Sequence, residues 1–289
     1  VEAVAVTGMC GLGGEVFALM YQASTGKVVG LTSTGAAPRG ATPEFFRSKG
    51  YTHMPYEGPL AASPPGEVAA YQYISDKFCT RPLGKLLGAA IGYAEEGFPL
   101  SPRIARIGTS AAEHIAKTPS LAKIFQKNGR PYQAGEVLVQ KDLARTLRRI
   151  ADGGAEEFYR GGLARDIARS FQEAGGLIDE EALANHQVEA YEPLSTDYRG
   201  YIVLENRPPS QGLILLEMLN IIEGFDMASL GHQSPESIHL MVEAKKLAFL
   251  DREAYIADPD YIDVPIEGLI SKEYAKERAK LINTNQASE

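Results

Sequence analysis

Hydrophobic and polar positions change period along the chain. Residues 15–22 and 27–33 are rich in β-favouring side chains, and Ala23-Ser24-Thr25-Gly26 separates them. A glycine in a short polar turn between two such runs predicts a β-hairpin. Residues 1–6 predict a further strand. Residues 34–66 then hold eleven Gly or Pro punctuation points, too dense for long elements. Phe45, Phe46, Tyr51 and Tyr56 argue that this stretch is ordered, a long excursion with short helical turns.

From residue 67 the period becomes helical. Helices are predicted over 68–78, 83–96, 103–117 and 121–127. Leu138, Val139, Leu143, Leu147 and Ile150 share a face of the next, which Gly153-Gly154 stops. Leu163, Ile167, Phe171 and Ala174 mark another, ended by Gly175-Gly176. Leu177-Ile178-Asp179 leads into a short helix. Residues 198–206 predict a strand, broken by Arg207-Pro208-Pro209-Ser210-Gln211-Gly212, and 213–222 an apolar helix. Ser234 and Pro235 are an N-cap and N1 pair for the helix after it, and Ser271 opens the last. Strands at both ends with helices between predict an α+β fold, one domain over residues 1–289. No regular βαβ alternation supports a doubly wound sheet. The strands are few for this length, which predicts a missing piece, on a second chain or a continuation.

A net charge of −8 and the lack of any basic block exclude a nucleic-acid partner. No run approaches the roughly 20 apolar residues of a membrane span. Cys10 and Cys79 cannot make a disulfide framework, and two buried thiols are expected. The chain opens at Val1 without a Met, as a fragment or processed chain does, so its compartment is left open.

The search for chemistry is mostly negative. There is no Gly-x-Ser-x-Gly nucleophile elbow, His-Glu-x-x-His or Cys-x-x-Cys. The five histidines have no ligand spacing and are expected at the surface or in caps, so neither a metal nor a cofactor is expected. Gly11-Leu12-Gly13-Gly14-Glu15-Val16 starts like a dinucleotide fingerprint. It ends in Val16 and leads into a strand, where that fingerprint requires a helix. Gly8, Gly11, Gly13 and Gly14 are either a tight connection or backbone lining a small pocket.

Gly11-Leu12-Gly13-Gly14, with Phe17, Leu19, Tyr21 and Thr25-Gly26-Lys27-Val28, resembles the glycine loop and hairpin of the γ-glutamyltranspeptidase large chain. Gly135-Glu136-Val137-Leu138-Val139-Gln140-Lys141-Asp142-Leu143-Ala144 resembles that family's GDxLVQKDLA, and Glu157-Phe158-Tyr159-Arg160-Gly161 its EFYKG. Arg207-Pro208-Pro209-Ser210-Gln211-Gly212 is similar to its PPPSSGG. The resemblance runs through the chain in order. It implies the large-chain half of a four-layer αββα sandwich of the N-terminal-nucleophile hydrolases, with the first helices and the catalytic small chain outside this sequence. It also implies a precursor that cuts itself. A new N-terminal Thr on the partner chain is then the nucleophile, its α-amine the base, and a small-molecule amide the substrate. By the resemblance Gly13, Gly14, Thr34 and Gly35 line the substrate site.

One departure stands out. The family's LDFRETAP, whose Arg pairs with the donor's α-carboxylate, is here Leu31-Thr32-Ser33-Thr34-Gly35-Ala36-Ala37-Pro38. Thr34 replaces the Arg and Gly35 the Glu. One hydroxyl cannot replace a bidentate guanidinium. The expectation is an amidohydrolase or acyltransferase with altered donor specificity. A genuine γ-glutamyl transferase or glutathione hydrolase with its clamp elsewhere, Arg39 included, stays open, as does a non-catalytic binding protein on the same fold.

Overall fold

Gly26 takes φ +69° in the turn between strands Val16–Gln22 and Lys27–Ser33. That left-handed conformation favours glycine, and the predicted hairpin forms. The computed structural model describes residues 1–6 and 10–288. Gly8 therefore lies outside the described residues. The chain divides into two compact units, residues 1–16 with 33–188, and 17–32 with 189–289.

The first unit is mostly helical. Helix Lys141–Tyr159 lies at its centre and buries Ala144, Leu147, Ile150, Phe158 and Tyr159. These pack with Val68, Leu83, Leu87, Leu163 and Ile178 from its neighbours. The predicted stop at Gly153-Gly154 is a kink: Gly154 sits at φ +64°, ψ −161°, and the helix resumes. Gln72 Oε1 accepts from the Ala155 amide at 3.3 Å, serving the donor that the break leaves open. The predicted start at 138 is too early, because Val137–Leu138 pairs antiparallel with Phe98–Pro99. Helix Gly162–Glu173 ends as expected, with Gly175 at φ +80°.

Residues 1–6 correct the sequence reading. Glu2–Ala5 is one helical turn instead of a strand. Gln140 Nε2 donates to the Val4 carbonyl at 3.0 Å, and Val4 is fully buried in the helical core. A short run of Val and Ala has no decisive period, so one docked side chain decides it. Cys10 and Cys79 are also corrected: both are exposed.

The second unit carries an antiparallel sheet in the order Val16–Gln22, Lys27–Ser33, Glu189–Tyr191. Gly30 faces Tyr191, whose ring would lie 2.4 Å from a Cβ there. Only glycine leaves room for that ring. The predicted strand over 198–206 is the second half of a hairpin, Leu194–Tyr198 with Tyr201–Glu205. Its two-residue turn, Arg199 at φ +53° and Gly200 at φ +84°, has the positive angles that hairpins favour. Helices Gly212–Ile222, Pro235–Tyr255 and Lys272–Ala279 pack through Ile221, Leu240, Ala244 and Ala275. Ser234 caps the middle one, accepting from the Ser237 amide at 3.0 Å.

Two features of this unit matter for assembly and stability. Along the edge strand Val16–Gln22, Phe17, Leu19 and Tyr21 are all exposed, at alternate positions and so on one face. Inside the helices, Glu217 is fully buried and its carboxyl oxygens have no hydrogen-bond partner in good geometry. Burial, then the neighbouring Asp251 carboxylate, raises its pKa to about 9. Burial opposes the charge of Asp251 too. Arg278, whose Nε lies 2.9 Å from Oδ2, and Tyr274, 3.0 Å away, hold that carboxylate below its ordinary range. No helix among the described residues is long and apolar enough to cross a membrane.

Candidate functional site

Two of the four predicted site residues, Gly14 and Gly35, close on one segment, 64–67, and Gly13 and Thr34 are their chain neighbours. Gly14 lies at the end of the glycine loop, and its carbonyl accepts from both the Gly66 and Glu67 amides, at 2.9 and 3.0 Å. Its own amide donates to Gly11 at 2.8 Å, closing the loop as a tight turn. A Cβ on Gly14 would meet Glu67 Oε2 and the Gly11 carbonyl at 3.1 Å. Gly13 differs: it is exposed, with nothing within 4 Å of where a Cβ would stand.

Thr34 and Gly35 follow directly on strand Lys27–Ser33. Gly35 closes on Pro64 so tightly that a Cβ would lie 2.0 Å from the Pro64 carbonyl oxygen. Its amide donates to Glu15 Oε1 at 3.4 Å, and Ser63 Oγ donates to the same oxygen at 2.8 Å. On the other side of Thr34, Ser33 faces Gly66, whose Cβ would lie 1.9 Å from the Ser33 carbonyl oxygen. Thr34, half-buried, is thus held between two backbone contacts that exclude side chains. Gly66→Ala is expected to lose about 3 kcal/mol or more, because the clash is with backbone that cannot step aside. A urea melt measures it, and an unchanged midpoint would mean that the segment relaxes freely.

Sequence reasoning missed the side chains behind this loop. Ser33 is fully buried and donates from Oγ to the Gly66 carbonyl at 2.7 Å. That spends its one hydrogen, so His186 Nε2, 2.9 Å away, is the donor to Oγ. Burial lowers the His186 pKa, favouring the neutral ring, and the field of Glu15 opposes it. The ring stacks on Tyr159 at 5.2 Å, with 18° between planes. Tyr159 donates to the Pro65 carbonyl at 2.6 Å and accepts from the Ala69 amide at 3.2 Å. Burial pushes its phenol well above the usual range. Nothing in the sequence could pair Ser33 with His186, 153 positions away. A Ser–His pair suggests a nucleophile, but this serine is sealed from solvent and its proton points at a carbonyl. It holds the loop in place instead of attacking a substrate.

Next to His186 is a cavity of about 140 Å³ lined by Ala36, Pro38, Arg39, Asp179, Glu181 and Asn185 among others. Arg39 pairs there with Glu181 at 2.8 Å, with 84% of its side chain exposed. A pair that open is worth ~1 kcal/mol at most. Among the described residues no group of three or more His, Cys, Asp or Glu could hold a metal ion.

The fold and the loop define an α+β protein whose candidate site is built from glycine backbone. Acid–base side chains stand behind it as supports. The chain belongs to the gamma-glutamyltranspeptidase family, whose profile it matches over residues 1–289. It is 33% identical over 285 residues to the glutathione hydrolase proenzyme of Bacillus subtilis (strain 168), covering 97% of this chain and 48% of that protein. It is 41% identical over 231 residues to the acylase ACY 1 proenzyme of Pseudomonas sp. (strain SE83), covering 80% of this chain and 41% of that one. The chain therefore spans about half the length of the curated relatives it matches. The crystal structure of Helicobacter pylori gamma-glutamyltranspeptidase superposes with a TM-score of 0.94 at 36% identity, covering 99% of this chain and 83% of that chain.

Proposed function

We propose that this chain is the large-chain part of an amidohydrolase or acyltransferase of the γ-glutamyltranspeptidase type, with a donor specificity shifted away from γ-glutamyl groups. The reacting Thr is carried by a small chain from the same precursor. Its hydroxyl attacks the amide carbonyl, its α-amine takes the proton, and water or an amine then releases the acyl group. The glycine loop at Gly13 and Gly14 approaches the scissile group with backbone alone. The small chain completes the four-layer αββα sandwich, and the exposed Phe17, Leu19 and Tyr21 face suits burial under it.

The observation that carries the specificity is Thr34. It stands at the family's Arg position, between two contacts that fix its backbone. A carboxylate left without its guanidinium in a desolvated site is costly. The mature enzyme is therefore expected to turn over amides of simple or small acyl groups faster than a γ-glutamyl anilide, measured as kcat/KM. A clear preference for the γ-glutamyl anilide would refute the altered specificity. One observation favours the second reading, a genuine γ-glutamyl enzyme. The weak surface pair of Arg39 with Glu181 could be exchanged for a donor carboxylate at small cost.

Gly13 tests the loop independently. A Cβ there meets nothing within 4 Å and the residue is exposed, so the fold should tolerate Gly13→Val. Turnover or precursor cleavage is expected to fall at least about tenfold at unchanged melting temperature, the cost of ~1.4 kcal/mol at the reacting group. Full cleavage and turnover in this variant would make the loop a mere connector.

A further inference from the structure

We propose that a cleft beside helix Pro102–Ser110, in the first unit, binds a soluble amphipathic carboxylate of the medium-chain fatty-acid class. The cleft encloses about 340 Å³, walled by Leu100, Ile104, Ile115, Leu121, Phe125 and Leu138. That volume is in the range of small-ligand pockets, and the lining is apolar apart from His114 and Tyr132. His114 is turned toward Glu57, 3.7 Å away.

A second, shallower hollow adjoins it. Arg103, Arg106 and Ser110 line that one, and the two hollows share Ile107 and Ala111. Helix geometry makes the arrangement. Positions 104, 108 and 111 fall on one face and 103, 106 and 110 on the next, with 107 on the ridge between. Both guanidiniums are exposed and make no ion pair or hydrogen bond among the described residues. An apolar cavity with two uncommitted cations across one ridge residue is complementary to a molecule with an alkyl tail and an anionic head. The net charge of the chain, −8, disfavours an anionic membrane surface as the occupant. The concave, single-molecule size points to a free ligand. This site is apart from the glycine loop, and the inference does not depend on the reaction proposed above.

Gly108 supplies a clean test. It lines the cleft inside the helix, with nothing within 4 Å of where its Cβ would stand. Gly108→Leu would fill the cavity and favour the helix, since glycine is among the poorest helix formers. Octanoate is titrated into the mature protein, both chains present, by calorimetry, beside butanoate, hexanoate and octan-1-ol. Saturable binding is expected, with Kd falling about three- to fourfold per added methylene. Octan-1-ol is expected to bind about tenfold more weakly, lacking the charge-assisted bonds. Gly108→Leu should abolish octanoate binding with no fall in melting temperature. Arg103→Glu combined with Arg106→Glu should weaken octanoate at least about tenfold and leave octan-1-ol unchanged. No saturable octanoate binding, octanoate affinity retained in Gly108→Leu, or octan-1-ol binding as tightly as octanoate would each overturn the proposal.

Discussion

Thr34→Arg is expected to raise kcat/KM for a γ-glutamyl anilide by roughly two to three orders of magnitude. A charge-assisted bidentate pair is about twice as strong as a neutral hydrogen bond, and an unpaired desolvated carboxylate costs several kcal/mol. At ~1.4 kcal/mol per tenfold, restoring the guanidinium recovers that range. The backbone that would carry the new side chain is already fixed. Ser33 before it is bonded to Gly66 and His186, and Gly35 after it is wedged on Pro64. A long side chain on a rigid mount loses less in ordering than one on a mobile loop. Activity on small acyl amides should fall or stay level in the same variant. If the parent already works well on the γ-glutamyl anilide and Thr34→Arg adds nothing, the clamp lies elsewhere. Arg39→Ala would then remove most of that activity.

Glu217→Gln is expected to stabilise the protein increasingly as pH rises. The carboxyl of Glu217 has its folded pKa raised from 4.5 to about 9. A raised folded value contributes stability that is complete below the unfolded value and is lost as pH climbs toward the folded one. Between those limits the loss is about 1.4 kcal/mol per pH unit. Glutamine keeps the volume and a donor for Asp251 without the proton that must be retained. Variant and parent should therefore melt alike near pH 4.5. By pH 7.5 the variant should lead by roughly 4 kcal/mol, from three units at ~1.4. Asp251, held low by Arg278, titrates below this window and does not reverse the sign. Denaturant midpoints taken from pH 4.5 to 8 decide it. Parallel curves would mean that Glu217 is not a retained proton.

Much of the helical half was legible because its signals are local. Gly175 follows its helix at positive φ, and Ser234-Pro235 starts one, as the residues alone require. Local signals fail where a distant partner decides. Val137–Leu138 has the period of a helix start, and its pairing with Phe98–Pro99 overrides that. Glu189–Tyr191 is three residues long, too short for a period, and exists by pairing with Gly30 to Thr32. The glycine loop and Thr34–Gly35 were visible through the resemblance. What stands behind them was not. Ser33, His186 and Tyr159 come from a strand end, a helix exit and the last turn of a long helix, and no spacing joins them. His186 was expected as a surface or capping residue, and its burial on Tyr159 could be read only from the packing.

The contact of Gly35 with Pro64 limits which substitutions this loop accepts. Position 34 can accept a new side chain by one substitution, since Thr34 is half-buried and only its flanks are fixed. The residue at position 35 cannot. Any Cβ there would lie 2.0 Å from a backbone oxygen, so a glutamate must wait until the Pro64 segment has moved. That segment is itself tied down through Pro65 to Tyr159 and through Gly66 to Gly14 and Ser33. A side chain at position 35 therefore needs two changes made together, one at Gly35 and one in the segment it rests on.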